Sequence, residues 1–83
     1  MPESVDLRLK AIGEKIKRLR LEAGYTSYEK FAIANGIEGK QYWRLESGKN
    51  FRMTTLIGII DIHGITLKEF FEDLGGEYLQ DKG

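Results

Sequence analysis

The chain has 83 residues, a single histidine, no cysteine, and 13 basic against 13 acidic side chains, so its formal net charge is zero. That length supports one small domain around one core, spanning 1–83, with a core over about 5–74 and a C-terminal tail at 75–83. Without cysteine there are no disulfides, no thiol chemistry and no cysteine zinc site, and the lone His63 excludes a multi-histidine metal site.

No nucleophile, base or cofactor motif stands out, so the expectation is a protein that is not an enzyme and holds no cofactor or metal. The opening MPESVDLRLK has no apolar run of the kind a secretory signal needs. No stretch approaches the roughly 20 apolar residues of a membrane span. The expected location is the cytoplasm. Neutrality hides an asymmetry. Residues 1–52 hold 11 Lys or Arg against 7 Asp or Glu, whereas residues 53–83 hold 2 against 6. The first part is therefore expected to present a basic face and the last part an acidic one.

In chain order, VDLRLKAIGEKIKRLRLEAG places Leu9, Ile12, Ile16 and Leu19 at spacings of three and four, one face of an amphipathic helix. Lys10, Lys15, Lys17, Arg18 and Arg20 take the other faces. Ser4 is the expected N-cap and Gly24 the stop. Gly13, inside the helix, costs about 1 kcal/mol against alanine, and only close packing would explain it.

TSYEKFAIANG reads as a short helix. Thr26 with Glu29 has capping-box spacing, Ser27 is an equally good cap, and Phe31 and Ala32 face inward. Gly36 ends the segment, and apolar Ile37 follows. Gly39 to Glu46 forms another short helix, with Tyr42 and Leu45 on its inner face and Ser47-Gly48 as its stop. MTTLIGIIDIHG is apolar nearly all round, so Leu56, Ile57, Ile59, Ile60 and Ile62 suggest a buried helix. His63, near its end, is expected to be a partner for the helix dipole or a satisfied, half-buried side chain. Thr66 and Glu69 make a capping box opening LKEFFEDLGG, whose apolar face is Leu67, Phe70, Phe71 and Leu74. Phe70 and Phe71 cannot both point inward. The sum is an all-α domain of five helices.

The segment from Tyr28 to Glu46 has the mechanics of a helix-turn-helix. Ala32 is small where two backbones approach, Gly36 tolerates positive φ at the turn, and Ile37, Tyr42 and Leu45 anchor the second helix. IKRLRLEAG before it, FAxxxGI within it, RLESG at its end and TLxxIIDIHGITLKEFF after it complete a pattern running from about Ile12 to Phe71. On these motifs the chain resembles the Cro/repressor-type helix-turn-helix family, also called the XRE family, of bacterial and phage transcriptional regulators.

That resemblance implies a five-helix, lambda repressor-like fold and sequence-specific binding of double-stranded DNA, with repression as the default. The helix at about 38–46 would read the major groove. The matching base-contact positions are Gly39, Lys40, Gln41, Trp43 and Arg44. Backbone contacts would come from Ser27, Tyr28, Lys49, Asn50 and Arg52. Arg20 and Glu46 match a pair that ties the first helix to the recognition helix. Family members commonly pair as dimers, which implies a homodimer through the C-terminal helix at Phe70, Phe71 and Leu74, with Tyr78 or Leu79 nearby.

Three departures from the family's commoner residues matter. Glu38 stands where Ser or Thr is usual, Gly39 offers no side chain where a base is often read, and Tyr28, Tyr42 and Trp43 are unusual types at their positions. Two alternatives therefore stay open. One is an antitoxin that binds its operator through the motif and a toxin through the acidic C-terminal segment. The other is a protein–protein adaptor on the same fold, with Trp43 exposed for a protein partner.

Overall fold

The computed structural model describes residues 6–72 and 74. Five α-helices follow one another: α1 (Leu7–Glu22), α2 (Tyr28–Ala34), α3 (Gly39–Glu46), α4 (Met53–His63) and α5 (Leu67–Glu72). No described residue lies in a strand. Among the described residues no helix is long and apolar enough to cross a membrane. Ser4, Tyr78, Leu79 and the acidic tail at 75–83 lie outside the described residues.

The helix starts are set by side chains that take up free amides. Asp6 caps α1, its carboxylate accepting from the Arg8 amide at 2.9 Å, where the sequence pattern had suggested Ser4. An aspartate directly before the first helical residue is placed to satisfy one of the helix's orphan donors. Ser27, rather than Thr26, caps α2 and accepts from the Lys30 amide. Thr66 and Glu69 exchange both bonds of a capping box at α5, at 3.0 and 2.9 Å.

The core is built from Ile12 and Ile16 of α1, Phe31 and Ala32 of α2, Tyr42 and Leu45 of α3, Leu56, Ile59 and Ile60 of α4, and Phe70 of α5. Phe31 is its aromatic centre. Tyr25 meets it edge-on at 5.2 Å, Tyr42 lies tilted against it at 5.2 Å, and His63 stacks on it at 5.4 Å.

Four expectations change. The α4 helix is not buried all round: Ile57 and Ile62 are exposed, because α4 has core on one side only. Phe70 is fully buried and unavailable to a second copy; Phe71 packs edge-on against it and stays half-buried, while Leu67 is exposed. Lys15 does not sit on a solvent face. It is buried, with its ammonium 5.7 Å from the Phe70 ring centroid, a cation–π contact over an apolar stem. His63 is half-buried but not satisfied, since its Nε2 has no hydrogen-bond partner among the described residues.

Gly13 now has its reason. A Cβ there would lie 2.6 Å from the carbonyl oxygens of both Leu45 and Glu46. The α1 and α3 backbones therefore meet directly, at a separation that only glycine permits. Gly13→Ala is expected to destabilise the fold by about 1–3 kcal/mol through overpacking. At about 4–8 °C per kcal/mol for a domain of this size, a thermal melt followed by circular dichroism reads the change.

Burial also lowers the pKa of His63, against a weaker opposing pull from Glu22. The folded state thus takes up its proton at a lower pH than the unfolded chain, whose histidine titrates near about 6.5. Stability contributed by neutral His63 is complete above that value and is lost as pH falls through the depressed folded pKa. Denaturant midpoints are expected to drop as pH falls below about 6.5 and to lose that slope in His63→Phe. The Asp6 carboxyl, which Arg8 holds below its ordinary value, titrates at lower pH and does not confuse the window.

Candidate nucleic-acid interface

The α2–α3 unit turns on Gly36. Its φ of 69° is left-handed, and the turn closes with the Ile37 amide donating to the Ala32 carbonyl at 2.8 Å. Asn35 adds a side-chain bond to the Phe31 carbonyl. Ile37 then packs against the core and fixes where α3 begins. Glu38 caps α3, accepting from the Gln41 amide at 3.0 Å. Of the eight residues of α3, Tyr42 and Leu45 point inward and are fully buried. Because a helix turns about 100° per residue, their neighbours Lys40, Trp43 and Arg44 face solvent.

The far end of α3 is held by charge. Arg20 clasps Glu46 in a two-point pair, Nε to Oε2 at 2.6 Å and Nη2 to Oε1 at 3.0 Å, with both side chains at most 10% exposed. The remaining Arg20 nitrogen, Nη1, donates to the Tyr25 carbonyl at 2.9 Å. Glu46 raises the Arg20 pKa further above its ordinary value. The Tyr42 hydroxyl is buried without a hydrogen-bond partner among the described residues; burial first, and Glu46 second, push its pKa up.

The remaining site candidates divide between two places. Tyr28, Gly39, Lys40 and Trp43 line one notch, together with Glu29. Lys49 joins them, its ammonium 5.8 Å from the Trp43 ring centroid. Gln41 instead faces a groove between the turn and α4, with Asn35, Glu38, Thr54 and Thr55. Arg44, Asn50 and Arg52 are exposed. Arg52 occupies the cap position of α4 with no side-chain bond to that helix. Ser27 has its hydroxyl engaged by the Lys30 amide.

Tyr28 is half-buried and packs against the core, so only part of its surface faces outward. Glu29 was missed by sequence reasoning. Its position one turn from a possible cap had pointed only to a capping role, and nothing local reveals that α3 comes to lie beside it.

No protein-family model matches the chain, and no solved structure matches it. Over 73 residues it is 36% identical to the control protein C.MunI of a Mycoplasma species, a stretch covering 87% of this chain and 97% of that protein. The chain belongs to the family of that control protein. The aligned stretch is long enough that it must include most of the helical core as well as α2 and α3.

Removing one partner of the Arg20–Glu46 pair strands a buried charge. Glu46→Ala is expected to cost about 3–5 kcal/mol, a large share of the stability of a small domain. The double change Arg20→Met/Glu46→Leu removes both charges and is expected to recover most of that loss. Urea denaturation of the three proteins checks the order.

Proposed function

We propose that this protein is a sequence-specific DNA-binding transcriptional regulator of the XRE type, a single domain acting in the cytoplasm, with α3 lying in the major groove. The observation that carries the reading is the solvent face of α3. Lys40, Trp43 and Arg44 project from a helix whose opposite face, Tyr42 and Leu45, is locked into the core. Kinship with a control protein supports a regulatory role.

In this reading Lys40 and Arg44 donate to guanine O6 and N7, and Gln41 pairs with adenine. Trp43 packs on the DNA, and Gly39 lets the backbone approach. Lys49, Asn50 and Arg52 hold one stretch of phosphates, and Tyr28 with Ser27 holds another. Repression by occlusion of the promoter is the simplest outcome for such a domain. Two copies would bind a two-fold symmetric site through α5, using Phe71 and Leu74, since Phe70 is consumed by the core.

Selection from random duplex DNA at low salt tests this. The native protein is expected to enrich one motif, as two half-sites about one helical turn apart if it binds as a dimer. A Lys40→Ala/Arg44→Ala variant is expected to lose the motif, since each good base contact is worth about 1–3 kcal/mol. Both side chains are exposed, so its circular dichroism and melting should match the native protein. If the native protein enriches nothing, the regulator reading falls, and a protein partner covering Trp43 becomes the better account.

A further inference from the structure

The residue that opens α3 is a glycine the fold does not require. Gly39 is absent from the positive-φ residues of the chain, and a Cβ built on it meets nothing within 4 Å. Neither backbone strain nor packing excludes a side chain there. Alanine would also favour the helix by up to about 1 kcal/mol. What the missing side chain does create is space.

A notch of about 290 Å³ lies over Gly39, lined by Tyr28, Glu29, Lys40 and Trp43. Its walls are chemically specific. Trp43 sits four residues after Gly39 on the same helical face, and it walls the notch without coming within 4 Å of where a Gly39 Cβ would stand. Lys49 stands over the indole, its ammonium 5.8 Å from the ring centroid. Tyr28 is held from behind by the core. Two aromatic rings thus border a gap whose floor is backbone. The Glu29 carboxylate at its edge is unfavourable to a phosphate, so the notch does not suit the DNA backbone. Lys40, at the rim, can reach a neighbouring base or phosphate.

The notch is open and wider than one methyl, so it admits the edge of a base, and the apolar group that a base edge projects toward such aromatic walls in the major groove is the methyl on C5 of a pyrimidine. We propose that the Tyr28–Gly39–Trp43 notch is a subsite for the 5-methyl group of a pyrimidine, and that Gly39 is a specificity-determining residue by virtue of having no side chain. This rests on the reading of α3 as the helix in the major groove. Thymine supplies the methyl in ordinary DNA, and 5-methylcytosine carries the same group.

The test uses the full-length protein and the duplex motif enriched in the selection above. Each thymine is replaced in turn by uracil, and each cytosine by 5-methylcytosine, and affinities are measured by fluorescence anisotropy for native protein and Gly39→Ala. Burying one methyl is worth about 0.8 kcal/mol, which converts to about a fourfold change in affinity. In the native protein, uracil is expected to weaken binding about three- to fivefold at one thymine per half-site. Gly39→Ala puts a methyl on the floor of the notch, where the pyrimidine methyl would sit; it should bind the thymine duplex more weakly and show a thymine-to-uracil ratio near one, while melting at or above the native temperature.

A response confined to the cytosine series, with 5-methylcytosine binding more tightly and Gly39→Ala abolishing the gain, supports the same subsite with methylated cytosine as its source. If no methyl matters in a motif that is otherwise bound specifically, the subsite is overturned and the regulator reading survives. An equal methyl response in native protein and Gly39→Ala overturns it likewise. If no motif is enriched at all, both fall.

Discussion

Everything proposed for α3 depends on how α1 holds it. The contact is backbone to backbone. Gly13 admits the Leu45 and Glu46 carbonyls to within the space a methyl would need, and Gly48 passes close enough to Lys10 that a Cβ there would sit 3.1 Å from its Cα. Seven residues along from Gly13, two turns on the same face of α1, Arg20 takes hold of the Glu46 side chain. An eight-residue helix is too short to persist alone in water. Its direction is therefore imposed: by the Gly36–Ile37 turn at one end and by α1 at the other. The exposed side chains are carried on a rigid mount, which fixed-geometry readout of a base edge needs.

That mount buries polar groups the fold does not need for its core alone. Arg20 and Glu46 lose hydration and recover it through two mutual bonds and one to a carbonyl. The Tyr42 hydroxyl beside them makes no hydrogen bond of good geometry among the described residues, although, after burial, Glu46 lies close enough to raise its pKa further. An all-apolar junction would be as stable or more so. What the ion pair adds is register. A bidentate guanidinium–carboxylate contact fixes rotation and translation together, where apolar packing of the same area permits sliding. For a helix whose use depends on which side chains point outward, register is the property worth holding.

The fold was legible because its signals are local and mutually consistent. Spacings of three and four, glycine stops and the Thr66–Glu69 box each fall within one helix. The errors arose where a third dimension was needed. Lys15 reads as a surface lysine until α5 brings Phe70 over its stem. Ile57 and Ile62 read as core from composition, yet among the described residues α4 is covered on one side and leaves both exposed. Gly13 did point to close packing, but not to its partner, because the carbonyls it meets lie more than thirty residues away. Residue pattern also could not join Arg20 to Glu46, which stand 26 apart and came together in the reading only through family resemblance. The candidate interface was partly legible for the same reason. Alternation around α3 separates Tyr42 and Leu45 from Lys40, Trp43 and Arg44, but which residues of α2 lie beside them, Glu29 above all, is a matter of packing.

Charge placement bears on how the proposed interface would grip DNA. Helix N-termini ordinarily offer free amides to phosphate. Here Glu38 folds back on the Gln41 amide and fills that role from within the chain, and Ser27 does the same for Lys30 at α2. The capped amides are no longer free donors, and the Glu38 carboxylate repels an anion where the helix dipole would attract one. On the proposed docking, phosphate contact then falls to side chains: Lys49, Asn50 and Arg52 of the exposed α3–α4 segment, with the Tyr28 and Ser27 hydroxyls at α2. Few cations engaged means few counterions released, so binding would depend less steeply on salt than in a strongly basic domain. A chain of zero net charge with this layout draws little from non-specific attraction. On the proposed docking its affinity would come mainly from fit at the base edges, which would place the weight of recognition on the face of α3 and on the shape of the gap above Gly39.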